Sequence, residues 1–382
     1  MAVEVTYSFE LGPIRPPSEA YSLLIRTTRH CPWNRCKFCR TYKGEKFQLR
    51  SVEEIKQDIR AARTIQDKIK GLSWQSGYGG SVKEAAAGVL ANPPDAAFHN
   101  VALWMCADGA SAFLQDANSL IMRTSELVEI ISYLKETFPS IKRVTSYARS
   151  NTAAKKKLEE LIELREAGLS RLHVGLESGY NPILQYMDKG VTAAGHIAGG
   201  RRVVESGISL CEYVLLGLGG REMWREHATQ TARVLNEIAP DFIRVRTLAI
   251  SSRMPLYEEI EKGDFIRATD EEILEEERLL IEHLECHSNY VSDHITNLLQ
   301  EVEGELPRDK EKMIASIDRF RSLSPEERLN FKVGRRVGTY TVLDDLHDLR
   351  KHEAVEQVIR RLGRDGDEID EEKMYRLMAR FI

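Results

Sequence analysis

Cys31, Cys36 and Cys39 fall within nine residues of one another, whereas the other three cysteines of the chain, Cys106, Cys211 and Cys286, are scattered. Crowded cysteines in a chain without a secretory start read as metal ligands or thiols before disulfides. A C-x4-C-x2-C loop can wrap three thiolates around one face of an iron–sulfur cubane. The C-x2-C turn serves two neighbouring irons and the longer gap brings in the third. The fourth iron is then left without a protein ligand, and an open position is what separates a catalytic metal from a structural one. Trp33 and Phe38 can shield such a cluster, and Arg35, Lys37 and Arg40 can offset its charge. A zinc site needs a fourth ligand; His30 is adjacent, but no second C-x2-C and no H-x3–5-H pair exists. An electron-transfer cluster needs a fourth cysteine close by, and none is near in sequence. The scattered cysteines read as small buried hydrophobes, Cys286 having the most polar neighbours.

The cysteine loop directly follows an apolar run, YSLLIRTT (21–28), the first of six strand candidates. The others are SAFLQD (111–116), KRVTSYA (142–148), RLHVGLE (171–177), ISLCEYVLLG (208–217) and DFIRVRTLAI (241–250). Most are too continuously apolar to have one wet face. Helical patterns lie between them. SVEEIKQDIRAARTIQDKIK opens with a Ser51/Glu54 capping box. TSELVEIISYLKETF, NTAAKKKLEELIELREAG and TAAGHIAGGRRVVESG repeat apolar residues at helical spacing, the last two ending in Gly. Alternation of this kind predicts an α/β fold with a parallel sheet, either a partial (βα)6 TIM-like barrel or a doubly wound sheet, with the site at the C-terminal strand ends.

The domain expectation is an N-terminal extension (1–20), a core (21–250) and a helical C-terminal region (251–382) in which strand signals stop. Glycine-rich residues 70–95 read as an inserted surface loop followed by a helix, AFHNVALWMCADG. SNYVSDHITN (288–297) is densely polar, which suits either a capped helix start or a segment over the strand ends that touches substrate.

With these motifs in place, the chain resembles the radical S-adenosylmethionine (SAM) superfamily, whose partial (βα)6 barrel binds a [4Fe–4S] cluster in the loop after its first strand. It is more similar to the branch containing oxygen-independent coproporphyrinogen oxidase, methylthiotransferases and the Elongator catalytic subunit. The resemblance covers about residues 20–250 and rests also on GLESGY and GLGG; the first cysteine gap, CPWNRC, is one residue longer than the common C-x3-C.

The resemblance implies where SAM is held. At the end of the second strand candidate, FLQDANSL carries Gln115, Asp116 and Asn118, acceptors for the SAM ammonium where the family has a Gly/Glu motif; Asp116 and Asn118 also suit an Asx turn. On the third, Ser146 suits a SAM contact, and Arg149 either pairs with a carboxylate or caps the next helix. On the fourth, alternation puts His173, Gly175 and Glu177 on one face. Glu177 and Ser178 are assigned to SAM, and His173 is either catalytic or a satisfied core histidine. On the fifth, Gly217, Gly219 and Gly220 permit close approach of adenine, or simply form a turn. On the sixth, Arg244 and Arg246 share a face, suited to the SAM carboxylate, to an anionic substrate, or to a plain salt bridge with Glu177 or Glu212.

The expected function is that of a radical SAM enzyme. Its reduced [4Fe–4S] cluster cleaves SAM to a 5′-deoxyadenosyl radical that abstracts hydrogen from an unidentified small molecule, with an electron donor such as flavodoxin or ferredoxin. An oxygen-sensitive cluster implies anaerobic work. The alternatives are an RNA-modifying enzyme of the same superfamily and a non-catalytic iron–sulfur protein of electron transfer or assembly. A net charge of −5 provides no broad basic surface, which argues against nonspecific nucleic-acid binding. The N-terminus has no basic start before an apolar run and no stretch reaches membrane-spanning length, so the expected location is the cytoplasm.

Overall fold

The computed structural model describes residues 8–362 and Leu377. The helix expected over 370–382 therefore lies, apart from Leu377, outside the described residues.

The alternation of strands and helices is realised with two short additions. In chain order the elements begin with β1 (Leu23–Arg26), β2 (Thr28–Arg29), β3 (Gln48–Leu49), α1 (Val52–Gln75), α2 (Val82–Ala91), α3 (Ala96–Cys106), β4 (Ser111–Gln115) and α4 (Thr124–Thr137). They continue with β5 (Arg143–Ala148), α5 (Ser150–Lys155), α6 (Leu158–Ala167), β6 (Leu169–Glu177), α7 (Asn181–Tyr186), α8 (Ala193–Glu205), β7 (Ser209–Leu216), α9 (Gly220–Ile238) and β8 (Phe242–Thr247). The C-terminal region contributes α10 (Pro255–Lys262), α11 (Asp270–His283), β9 (Ser288–Val291), β10 (Gly304–Leu306), α12 (Lys310–Arg321), α13 (Pro325–Arg336) and α14 (Leu349–Leu362).

Two compact units divide the chain. The first takes the chain up to Asn34, then Thr41–Val174 and Arg202–Leu210. In it β1 pairs in parallel with β4, β4 with β5, and β5 with β6. The expected capping box forms: the Ser51 side chain accepts from the Glu54 N–H while the Glu54 carboxylate receives the Ser51 N–H. From there α1 buries Ile55, Ile59, Ala62, Ile65 and Ile69, a stripe at helical spacing. The single helix expected over NTAAKKKLEELIELREAG is broken into α5 and α6. Lys156 and Lys157 are extended between them, and Arg202 Nη1 donates 2.8 Å bonds to the carbonyls of both Ala154 and Lys156. The break is stable because the carbonyls it frees find a donor. Gly168 ends α6 at φ +125°, as its sequence position predicted. Residues 70–95 are not the loop that their glycines suggest: α1 runs on to Gln75, and α2, with Ser81 as its cap, fills most of the rest.

The second unit comprises Arg35–Arg40, Gly175–Arg201 and the chain from Cys211 onward. β7 pairs in parallel with β8, β8 with β9, and β9 antiparallel with β10. The expectation that strand signals stop after residue 250 is corrected here: the region is mostly helical, but Ser288–Val291 extends the parallel series instead of starting a helix. An apolar cluster of Ile183, Met187, Leu218, Leu248, Ile250, Met254, Leu256 and Phe265 packs together, joined by Phe38 of the cysteine loop.

One buried carboxyl in this unit has a consequence for pH. Glu277 is 2% exposed and accepts a 3.0 Å bond from the Tyr290 hydroxyl. Burial pushes its carboxyl up to about 8, with Tyr290 pulling it down and Glu276 adding to the rise. Its folded value lies above the unfolded one, so its contribution to stability is complete below about pH 4.5 and is lost as pH rises through about 8. A Glu277→Gln variant should therefore lose less melting temperature than the parent between pH 6 and 9; equal slopes in thermal melts would refute this.

Candidate active site

The cysteine loop is fixed by its own backbone. None of the three cysteines is in a disulfide; Cys36 is buried and Cys31 and Cys39 are half-buried. In the first unit, Asn34 takes a left-handed conformation at φ +49°, a region asparagine tolerates better than most residues. Its N–H points at the Cys31 sulfur at 3.4 Å. Its amide donates to the carbonyls of Tyr42 and Glu45, and Lys43 Nζ donates to its own carbonyl. The longer cysteine gap thus turns at a residue suited to the turn. In the second unit the Cys39 N–H donates 3.3 Å to the Cys36 carbonyl, and Lys37 is tied at both backbone groups, to the Met187 carbonyl and the Leu256 N–H. The Lys37 ammonium bonds Glu259 at 3.0 Å and lies over the Tyr186 ring, so its charge is already shared.

The chemistry of this donor set fits an iron–sulfur cluster: three thiolates, one per iron, leave one iron open. Among the described residues no three Cys, His, Asp or Glu side chains are grouped so as to hold a single metal ion. A cubane spreads its ligands over separate irons and does not require them to converge on one point.

The ends of β1, β4 and β5 hold the next group of expected site residues, and the chain itself engages them. Gln115 is 1% exposed; its amide nitrogen donates to the Gly12 and Ile14 carbonyls, and its oxygen accepts the Gly12 N–H. Asp116 accepts from Arg26 at 2.8 Å, from the Tyr42 hydroxyl and from the His30 N–H. The segment preceding β1 therefore runs along one face of β1, β4 and β5 like a strap. Glu10 anchors its upper end on Arg26 and Arg29; Glu19 anchors the lower end on Arg143. Burial raises the Glu10 carboxyl, but Arg29, Arg50 and Arg26 outweigh it and hold the group below its ordinary range. Replacing Asp116 by Ala takes an acceptor from Arg26, the Tyr42 hydroxyl and the His30 N–H and should lower stability by on the order of 3 kcal/mol in urea unfolding. A change within error would show the strap to be unanchored.

Asn118 accepts the Arg149 N–H and donates to Thr152, which makes it the side chain that ties the end of β4 to the start of α5. The Ser146 hydroxyl bonds the Leu114 carbonyl and Ser119. Arg149 precedes α5 and its guanidinium lies 5.4 Å from the Trp33 ring centroid, beside the cysteine loop in sequence. His173 is wholly buried between the rings of Phe113 and Tyr147, 3.5 Å from Glu19. That is the surrounding of a core histidine.

In the second unit, Glu177 ends β6 at φ +65°, a strained position for a side-chain-bearing residue. Its carboxylate accepts from Lys189 at 3.0 Å. Gly175 lies beside this pair: a Cβ there would come within 2.2 Å of Glu177 Oε1 and 3.1 Å of Lys189 Nζ, so both side-chain ends would have to shift. Glu212 on β7 has 0% exposure and hydrogen-bonds neither oxygen. Burial pushes its carboxyl well above the ordinary range, Lys189 opposing and Glu177 reinforcing. The Ser178 hydroxyl accepts the Tyr180 N–H, and Gly179 is pressed against the α9 backbone, where a Cβ would meet the Gln230 carbonyl at 2.5 Å. Gly217 turns the chain at φ +80°. Gly219 packs closely on Met223, so the glycines have structural reasons of their own.

Arg244 and Arg246 share a face of β8, the former buried, the latter exposed. Arg244 Nη1 is 3.1 Å from Asp293 Oδ2 and the guanidinium sits 6.0 Å from the Tyr213 ring centroid. The polar segment after β9 is pinned to this strand: Asn297 accepts the Thr247 N–H and donates to the Val245 carbonyl, while Arg335 and Arg336 of α13 bond its outer carbonyls. Burial, together with Arg246 and Arg244, depresses His294 to about 3, leaving a neutral imidazole beside two guanidiniums.

Nothing in the sequence marks Lys189 or Glu10 as a site residue. His294 stands in the polar SNYVSDHITN segment, and Glu212 enters from sequence only as an ion-pair partner for Arg244 or Arg246.

This combination of a parallel strand series, a three-cysteine loop after its first strand and polar strand ends corresponds to a defined family. Residues 25–232 match the model of the radical SAM superfamily, more than half of the chain, and the chain belongs to that superfamily. With membership come an α/β fold of the TIM-like partial (βα)6 class, here with a helical C-terminal region, and the superfamily's cofactors, a [4Fe–4S] cluster and SAM. Among solved structures, the chain is similar to Elp3 of the archaeon Methanocaldococcus infernus (15% identity over 44% of each chain, TM-score 0.38). It is also similar to methylornithine synthase (15%, 78% of this chain and 68% of that one, TM-score 0.44). A third is coproporphyrinogen III oxidase from Escherichia coli (15%, 68% and 52%, TM-score 0.45). The chain thus spans about half the length of the first and third. No curated protein matches the sequence. Among the described residues no helix is long and apolar enough to cross a membrane.

Proposed function

We propose that this enzyme generates a 5′-deoxyadenosyl radical from SAM and uses it to abstract hydrogen from a small anionic molecule. The observation that carries the reading is the C-x4-C-x2-C loop after β1, none of its cysteines in a disulfide, in a chain of this superfamily. Cys31, Cys36 and Cys39 would each hold one iron. When bound and reduced, the cluster supplies the electron that cleaves SAM into methionine and the radical.

The chain's own residues bind, orient and exclude water. Glu177 and Ser178 receive the amino acid or ribose part of SAM, and the Gly217–Gly219 backbone lies against adenine. Ser146 and Arg149 serve from the end of β5, while Gln115, Asp116 and Asn118 contribute by fixing the strap and the strand-end turn. Lys189 neutralises Glu177 until a ligand competes for it. Arg244 and Arg246, beside the neutral His294, receive a carboxylate or phosphate of the substrate. The electron would come from a small redox protein such as flavodoxin or ferredoxin, and the work would be anaerobic and cytoplasmic.

The test is anaerobic reconstitution with iron and sulfide, reduction with dithionite, and quantification of 5′-deoxyadenosine from added SAM. The reading predicts formation above the protein-free background. A fully loaded cluster with no cleavage under several reductants would sink it.

A further inference from the structure

Two ionisable side chains that sequence gives no reason to connect meet beneath the proposed SAM site. His227 lies on α9 and Glu276 on α11, both about 1% exposed or less. His227 Nε2 is 3.1 Å from the Glu177 carbonyl, which only accepts, so the ring donates there. His227 Nδ1 is 3.0 Å from Glu276 Oε1. The Glu276 carboxylate in turn receives the Gly217 N–H, at 3.0 and 3.2 Å to its two oxygens. The contacts form one chain, from the Glu177 carbonyl through His227 and Glu276 to the Gly217 N–H. Its two ends are the last residue of β6 and the first residue after β7, the only two strand ends it touches.

Both of those residues are left-handed, Glu177 at φ +65° and Gly217 at φ +80°. A non-glycine residue there is strained and persists only where its surroundings impose the conformation. A buried acid–imidazole pair is also a poor way to gain stability, since apolar side chains of the same volume usually do as well or better. What such a pair does well is fix direction. Here it fixes the direction of one carbonyl and one N–H at neighbouring turns, while the Glu177 carboxylate stays with Lys189.

We infer that His227 and Glu276 are positioning residues that hold the β6 and β7 turns in the shape that receives SAM. The inference rests on the reading of Glu177 and Gly217 as SAM contacts. Neither side chain touches the cofactor; each acts through a backbone group.

The experiment compares His227→Phe, Glu276→Leu, Glu276→Gln and Glu177→Ala with the parent. SAM dissociation constants are measured by calorimetry on anaerobically reconstituted protein, melting temperatures on the same samples, and peptide hydrogen exchange on the cluster-free chain. Expected are a dissociation constant raised about tenfold or more in His227→Phe and Glu276→Leu and faster exchange in the peptide containing Gly217. Iron content should be unchanged, and Glu276→Gln, which keeps an acceptor for the Gly217 N–H, should recover most of the affinity. If His227→Phe and Glu276→Leu prove too unstable to load, the recovery by Glu276→Gln and its exchange rate decide alone. Lower melting temperatures with unchanged SAM affinity would overturn the inference in favour of a purely structural pair. Weakened binding in Glu177→Ala but not in the other variants would overturn it while leaving the SAM reading intact. No effect of Glu177→Ala would remove the reading and the inference together.

Discussion

Replacing Cys31, Cys36 or Cys39 singly with alanine is expected to abolish 5′-deoxyadenosine formation and to reduce reconstituted iron from about four per chain to near zero. Each thiolate holds a different iron, so the loss of one leaves an edge of the cubane open to water and oxygen. No residue nearby in sequence is suited to replace it; His30 faces the Lys46 carbonyl through Nδ1 at 2.7 Å. The fold should tolerate the change, because the loop is held by Asn34, Lys37 and backbone bonds that do not involve the sulfurs. The same substitution at Cys106 or Cys211 should leave iron content and activity as they are, and iron analysis with the ultraviolet–visible spectrum distinguishes the two sets. Full loading in a Cys36→Ala variant would remove that residue from the ligand set.

The second large effect concerns Glu177. A Glu177→Ala variant is expected to keep its iron and weaken SAM binding about 10- to 150-fold, the range of a lost charge-assisted hydrogen bond of about 1.5–3 kcal/mol. It also takes from Lys189, a mostly buried cation, the carboxylate that bonds it at 3.0 Å. Glu177→Ala, Lys189→Met should therefore melt higher than the single variant without regaining SAM affinity. Recovery of affinity in the double variant would mean that Glu177 matters only as the partner of Lys189.

All six strands of the barrel series announced themselves because parallel strands buried on both faces are continuous apolar runs. Leu23–Arg26 and Ser209–Leu216 are of this kind. β9 did not: SNYV is four residues long, alternates buried with exposed, and takes its strand conformation from pairing with β8. The break between α5 and α6 was hidden for a similar reason. Nothing in KKKLEEL opposes a helix, and the donor that stabilises the break, Arg202, lies some 46 residues away.

In the site, the cysteine loop and Glu177 were legible because chemistry and local spacing coincide there. Gln115 and Asp116 were legible as polar strand-end groups, but their engagement by the strap was not, because Gly12 and Glu10 lie about a hundred residues earlier. The His227–Glu276 pair belongs to the same class: it exists only once two helices and two turns are packed together.

The central claim is that the chain, through Cys31, Cys36 and Cys39, holds a cluster to which SAM binds. It is tested most directly by electron paramagnetic resonance of the dithionite-reduced, reconstituted protein with and without SAM. The account predicts a reduced-cluster signal that shifts on SAM addition, is absent from Cys36→Ala, and is present but unshifted in Glu177→Ala at the same SAM concentration. A parent spectrum that is identical with and without saturating SAM would contradict it.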